Sequence, residues 1–226
     1  MPQTAPPRGL FIAFEGGEGG GKSTQVQRLV ALVESRGRET LATREPGATR
    51  IGPAIRSLLL DPVYTGLSAR AEALLYAANR AEHVAEVIGP ALAQGVVVIT
   101  DRYVDSSLAY QGAGRPLDAD KVELINTWAT GGLLPDLTVV LDIDPVVGLV
   151  RAGAEPDRLE AEPLEFHQAV RQGFLALAAR APERYLVVDA SLPAEAVAAV
   201  VADRVLPLLA APSLAPAPPS QGEVSA

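Results

Sequence analysis

Five short apolar runs punctuate the chain: LFIAFE (10–15), ETLAT (39–43), VVVIT (96–100), LTVVLDI (137–143) and YLVVDA (185–190). Between them apolar positions recur at helical spacing, as in QVQRLVALVESRG directly after the first run. Runs that are continuously rather than alternately apolar predict strands buried on both faces. The pattern is therefore that of a five-stranded parallel sheet with helices on both faces. Ligands of such sheets gather beyond the carboxyl ends of the strands. The longest helix is predicted from Ser68, an N-cap type, to Gln94, with Gly95 as its stop and Gly89-Pro90 as the place for a kink. Residues 1–8 read as a loose lead, and 211–226, APSLAPAPPSQGEVSA, as a disordered Pro/Ala-rich tail with little to bury. Residues 9–210 are left as one domain.

The loop after the first run, FEGGEGGGKST (Phe14 to Thr24), carries the spacing Gly16-x-x-x-x-Gly21-Lys22-Ser23 of a phosphate-binding P-loop. Glycines let successive backbone N–H groups turn inward around an anion without Cβ clashes. The next helix opens at Ser23, where unpaired amides and a positive partial charge favour phosphate. Lys22 adds a slim cationic head, and the Ser23 hydroxyl suits a Mg2+ that accompanies a nucleotide. Only two of the 19 basic residues are Lys, so Lys22 stands out against an Arg-dominated background. Gly16, Gly17, Glu18, Gly19, Gly20, Gly21, Lys22, Ser23 and Thr24 are the nucleotide-binding candidates.

Composition narrows the remaining classes. The 226 residues suit one domain, and 48% hydrophobic content is ample for a two-sided core. With no Cys there is neither a disulfide nor thiolate catalysis, and a cytoplasmic setting fits. No run reaches the length of a membrane span, and MPQTAPPRG lacks the apolar core of a signal peptide. A net charge of −8 argues against broad binding to nucleic acid or anionic lipid, so a polyanionic substrate has to meet local positive charge. Neither His83 nor His167 has a carboxylate or cysteine at ligand spacing, and both read as helix surface with no zinc site. Asp142 and Asp144 read as a strand-end pair that caps the next helix.

Three further stretches decide what the P-loop serves. They are TREPGATRIG (43–52), AEALLYAANRAEHV (71–84) and TDRYVDSSLAYQG (100–112). Together with RPLD, LPDLTVVLD and the closing VVDAS they resemble the thymidylate kinase family, in order and spacing, from about Gly9 to Leu209. The resemblance implies a P-loop nucleoside monophosphate kinase architecture that passes the γ-phosphoryl of ATP to dTMP, with Mg2+, in a homodimer. It implies that Arg102 grips the dTMP phosphate, which suits a planar guanidinium. Asp101 then serves the metal with Ser23, and Glu18 bonds the sugar 3′-hydroxyl. Tyr76, where the family usually has Phe, and Arg80 lie four apart on one helix face and receive the base between them. By the same resemblance Ser106, Ser107 and Gln111 supply hydrogen bonds to the base, without a choice between the serines. Tyr110 blocks a ribose 2′-hydroxyl, Arg44 lies near the acceptor phosphate, and Glu45-Pro46 is a place for a cis peptide.

The match departs at two places. Some relatives carry an arginine in the P-loop right after the acidic residue, where this chain has Gly19. Bacterial-type relatives supply that charge from a lid after the fourth strand. Here the lid, at about 150–160, holds only Arg151 and Arg158, and Arg158 matches the arginine of the family's Asp-Arg ending. Arg158 is therefore expected over the phosphates. The catalytic set is Lys22, Arg102, Arg158, Glu18 and Asp101, which works by positioning and charge neutralisation. Two alternatives stand beside this reading: another nucleoside or nucleoside monophosphate kinase, and a nucleotide-gated switch. The second predicts N-K-x-D or a D-x-x-G after a strand, and neither occurs.

Overall fold

The computed structural model describes residues 8–153 and 155–210; the expected tail and most of the expected N-terminal lead lie outside them. Strands β1 (Phe11–Glu15), β2 (Thr40–Arg44), β3 (Val97–Asp101), β4 (Leu137–Asp142) and β5 (Tyr185–Asp189) form one all-parallel sheet in the order β2-β3-β1-β4-β5. Each strand lies within a residue of its apolar run. The central strands β1, β3 and β4 are buried nearly throughout, whereas the edge strands β2 and β5 are partly exposed, as two-sided coverage of a parallel sheet requires.

The helices are α1 (Lys22–Ser35), α2 (Gly52–Leu60), α3 (Ala69–His83), α4 (Gly89–Ala93), α5 (Val104–Ser107), α6 (Ala119–Thr130), α7 (Pro145–Ala152), α8 (Leu164–Arg180) and α9 (Ala194–Ala210). The two-residue period of a strand divides the core. Ile12 and Phe14 pack with α1 and α9 through Leu29, Val33, Val197 and Val201, while Phe11 and Ala13 pack with Ile88, Leu92 and Tyr103 on the opposite face. A third cluster joins Leu59, Tyr76, Tyr110, Phe166 and Phe174 beneath the lid.

The long helix begins on Ser68, whose hydroxyl accepts from the Ala71 amide. It is interrupted where the sequence places Gly89-Pro90: α3 widens into a π-helical turn over Val84–Ile88 before resuming as α4. Pro90 lacks an N–H and its ring would strike the carbonyl four residues back, and the wider turn accommodates both. A second π-helical turn, Leu108–Ala113, follows α5 and carries Tyr110 and Gln111. Such turns re-aim side chains out of the regular α-helical register.

Candidate active site

The carboxyl ends of β1, β2 and β3 meet at one edge, because Asp101 is in register with Phe14 on one side and Arg44 on the other. The loop after β1 wraps back over α7. Gly19 has φ +64, and a Cβ there would stand 2.0 Å from the Gly148 carbonyl oxygen; a Cβ on Gly148 would stand 2.3 Å from that of Glu18. This close backbone approach explains the departure at Gly19, since an arginine there would collide with α7. Lys22 is buried, and its Nζ donates to the carbonyls of Gly16 (3.2 Å) and Gly17 (2.8 Å), so the ammonium sits inside the loop's own curve. Burial, followed by the nearby Arg102, lowers its pKa, which makes an incoming anion a welcome partner. Ser23 Oγ donates to Asp101 Oδ2 at 2.9 Å. These two oxygens at the mouth of the loop form a hard-donor pair suited to Mg2+.

Arg102 is the centre of the site. It has φ +71 without being glycine, a costly conformation of the kind that functional sites tolerate. One Nη donates to the Gly16 carbonyl (3.0 Å) and Ser106 Oγ (3.1 Å), the other to Glu18 Oε1 (2.7 Å) and Tyr110 Oη (3.1 Å). Burial disfavours the guanidinium charge, but the Glu18 carboxylate, with Tyr110, Asp101 and Glu15 behind it, outweighs that and holds Arg102 firmly protonated. Burial likewise opposes the Glu18 charge. Arg102, Lys22 and the Tyr110 hydroxyl, 2.6 Å away, overcome it and hold the carboxyl at about 2.

Behind Arg102 lies a residue that sequence reasoning missed. Glu15, fully buried at the end of β1, accepts from the Tyr103 and Ser106 amides through Oε1, and its Oε2 bonds Ser106 Oγ at 2.6 Å. Burial and the neighbouring Asp105 push it up to about 8. An apolar run ending in an acid is the sequence signal that could have found it.

Two cavities flank this centre. A cleft of about 580 Å³ is lined by Tyr76, Ser106, Ser107, Tyr110 and Gln111, among others, which brings together the predicted base and sugar contacts. An open cavity of about 890 Å³ is lined by Glu18 to Thr24 together with Arg44 and Asp101, the predicted phosphate and metal groups. Glu18, Glu45, Arg56, Arg102 and Glu160 line both, so the two spaces join where a phosphoryl group would cross. Arg56 is a second missed residue, this one a cation. It lies on α2, and its Nη1 donates to the Pro46 carbonyl (3.0 Å) beside the cis Glu45-Pro46 bond.

Four expectations are corrected. Arg80 does not line the cleft; it is 1% exposed and donates to Glu45, Ser107, Asn126 and the Tyr103 carbonyl, so it braces the cleft wall from behind. His83 is fully buried rather than on the surface. Its Nδ1 bonds Glu45 (2.9 Å) and its Nε2 bonds Thr43 (2.7 Å), so the ring links α3 to the carboxyl end of β2. His167 is also buried, under Gly17 and Glu18. The pair after β4 divides its work: Asp144 caps α7 through the Val146 amide, while Asp142 pairs with Arg171.

The fourth correction concerns the lid. Arg158 lines neither cavity. Its backbone amide donates to the Leu60 carbonyl (2.9 Å), its Nε to the Leu59 carbonyl (2.6 Å), and its Nη2 lies 2.6 Å from Glu72 Oε2, off the hydrogen-bonding direction. The free carbonyls at the end of α2 and a buried carboxylate hold this arginine more strongly than open solvent over the phosphates would. Arg151 is turned away too, onto the Ala190 carbonyl. Arg158→Met is therefore expected to cost about 3 kcal/mol, near the low end for breaking a buried pair because Arg115 still serves Glu72. Its thermal midpoint should fall by roughly 6–12 °C, with a loss in kcat well short of the roughly 10³-fold minimum of an arginine finger. A calorimetric scan beside initial rates checks this, and a large loss of kcat at unchanged stability would restore Arg158 to the phosphates.

Residues 14–201 match the family model "Thymidylate kinase". Thymidylate kinase of Clavibacter michiganensis subsp. michiganensis is 52% identical over 206 residues, covering 90% of this chain and 97% of that relative. That of Bifidobacterium longum (strain DJO10A) is 53% identical over 196 residues, 85% of this chain and 95% of the relative. Among solved structures, thymidylate kinase from Ehrlichia chaffeensis superposes with a TM-score of 0.73 at 33% identity, over 88% of this chain and 99% of that one.

Proposed function

The chain belongs to the thymidylate kinase family, whose activity is phosphorylation of dTMP, and we propose that it uses ATP as donor and Mg2+ as metal on the residues described above. The observation that carries this assignment of roles is the junction of the two cavities at Arg102 and Glu18, with Lys22 on one side and Tyr76 and Gln111 on the other. An oxygen of the acceptor phosphate attacks the γ-phosphorus as its bond to the bridging oxygen breaks, giving ADP and dTDP. Arg102 holds the acceptor phosphate by a two-pronged grip and Lys22 and the loop amides hold the donor, so the chain's own part is positioning and charge neutralisation. Ser23 and Asp101 would hold Mg2+, which supplies charge neutralisation on the donor phosphates when bound. Glu18 and Tyr110, tied to Arg102, are assigned to the sugar, Tyr110 as the ring that excludes a 2′-hydroxyl. Arg44 and Arg56 add the cationic charge that the lid arginines, both engaged elsewhere, do not.

Incubation with ATP, Mg2+ and dTMP should yield ADP and dTDP in equal amounts. ATP hydrolysis at the same rate without dTMP would instead revive the switch alternative.

The enzyme is further proposed to be a homodimer of the cytoplasm; no helix among the described residues is long and apolar enough to cross a membrane. Trp128 is 85% exposed, Leu124, one turn before it on α6, 68%, and Leu74 on the adjoining α3 56%, an apolar face that a monomer rarely leaves open. Trp128→Glu should shift the mass measured by light scattering from two chains to one; an unaltered enzyme that is already monomeric at micromolar concentration refutes the dimer.

A further inference from the structure

We propose that Glu72 sets the base specificity of the acceptor cleft by fixing which end of the Gln111 side-chain amide is left for the base; the inference rests on the reading of that cleft as the dTMP site. Glu72, in the first turn of α3, is fully buried. Its Oε1 accepts from Gln111 Nε2 (2.9 Å) and Arg115 Nε (3.2 Å), and its Oε2 from Arg115 Nη2 (3.1 Å), with Arg158 Nη2 alongside. Burial would raise the pKa of such a carboxyl, but the bonds from Arg115 and Gln111 and the contact with Arg158 outweigh it and hold the pKa below the usual range. An ionised carboxylate has no hydrogen to donate, so Gln111 has to turn its NH2 to Glu72. The carbonyl oxygen is the end that remains, in a residue that lines the cleft beside Tyr76 and Ser107.

This orientation discriminates between pyrimidines. Thymine carries a hydrogen on N3, which a carbonyl oxygen accepts. The N3 of cytosine is itself an acceptor, and facing it with a carbonyl sets two lone pairs against each other and leaves both unpaired. An amide free to rotate would match either base. Glu72 removes that freedom, and so rejects the wrong base without touching it. The same carboxylate anchors Arg158 of the lid directly and Glu162 through Arg115, so the residue that orients the base reader also ties down the segment that covers it.

The test is the ratio of kcat/KM for dTMP to that for dCMP in the full chain and in Glu72→Gln. A neutral amide at position 72 offers both donor and acceptor, so Gln111 can turn, and the ratio should fall at least about tenfold. An unchanged ratio, including one in which both rates fall together, overturns the inference and assigns Glu72 to structure alone. Should the variant fail to fold, isotope-labelled unaltered enzyme with dTMP bound decides instead. Contacts from the Gln111 NH2 protons to Arg115 support the orientation, and contacts from them to the thymine ring refute it. An unaltered enzyme with no activity on dTMP removes the reading of the cleft and this inference with it, a failure distinct from an active enzyme whose selectivity ignores position 72.

Discussion

Lys22→Met should lose at least roughly 10³-fold in kcat while keeping its circular dichroism spectrum and thermal midpoint. The side chain is buried, but it packs within its own loop and not in any of the three apolar clusters, so an unbranched apolar replacement of similar length leaves the core intact. What disappears is the ammonium that now rests on the Gly16 and Gly17 carbonyls. Without the cation the loop offers amides alone, and donor binding should weaken less than turnover because the amides of the loop and of the α1 N-terminus still hold the phosphates. Rates and donor dissociation constants measured on the same preparation separate the two. Normal turnover in the variant would contradict the assignment of the loop.

Arg102→Ala should lower kcat/KM for dTMP by roughly 10²–10⁴, through loss of a two-pronged charge-assisted grip. Stability should fall as well, in a way that depends on pH. Removing Arg102 relieves a φ of +71 only if a smaller residue relaxes, and it strips Glu18 of the first of the partners that depress its pKa. Glu18 contributes stability above its unfolded pKa of about 4.5, and loses it as pH falls toward about 2 in the intact protein. In the variant only Lys22 and Tyr110 remain to hold the carboxylate, so that contribution is reduced and the stability difference between the two proteins should shrink as pH falls through that window. Arg102→Lys should recover charge but not the fork, and restore only part of the rate. A variant whose KM for ATP rises as much as that for dTMP would place Arg102 on the donor side.

The sheet was legible because its central strands are apolar throughout and its helices are amphipathic, which leaves burial little choice. The P-loop was legible because glycine and lysine requirements are local: a backbone that must curl around an anion tolerates few alternatives. Residues whose role depends on distant partners were not. His83 looks like a surface histidine on its own helix, and only the approach of Thr43 and Glu45 from the end of β2 makes it a buried link. Arg158 sits in a sequence position that suggests the phosphates, yet the free carbonyls at the end of α2 and the carboxylate of Glu72 claim it. Glu15 and Gly148 carry no motif at all; one supports the strained turn at Arg102 and the other makes room for the loop above it. Arg80 reads in sequence as a donor to the base because it shares a helix face with Tyr76, but its donors are spent on the wall rather than in the cleft.

The central claim, that the cleft beside Arg102 accepts dTMP, is tested most directly by a panel of monophosphates. ADP release is measured with ATP and Mg2+ against dTMP, dUMP, UMP, CMP, dCMP and AMP at equal concentrations. Transfer should be fastest to dTMP, weaker to dUMP, and slight to the ribonucleotides, whose 2′-hydroxyl meets Tyr110, and to the bases that lack an N3 hydrogen. Faster release with UMP, CMP or AMP than with dTMP would contradict the account.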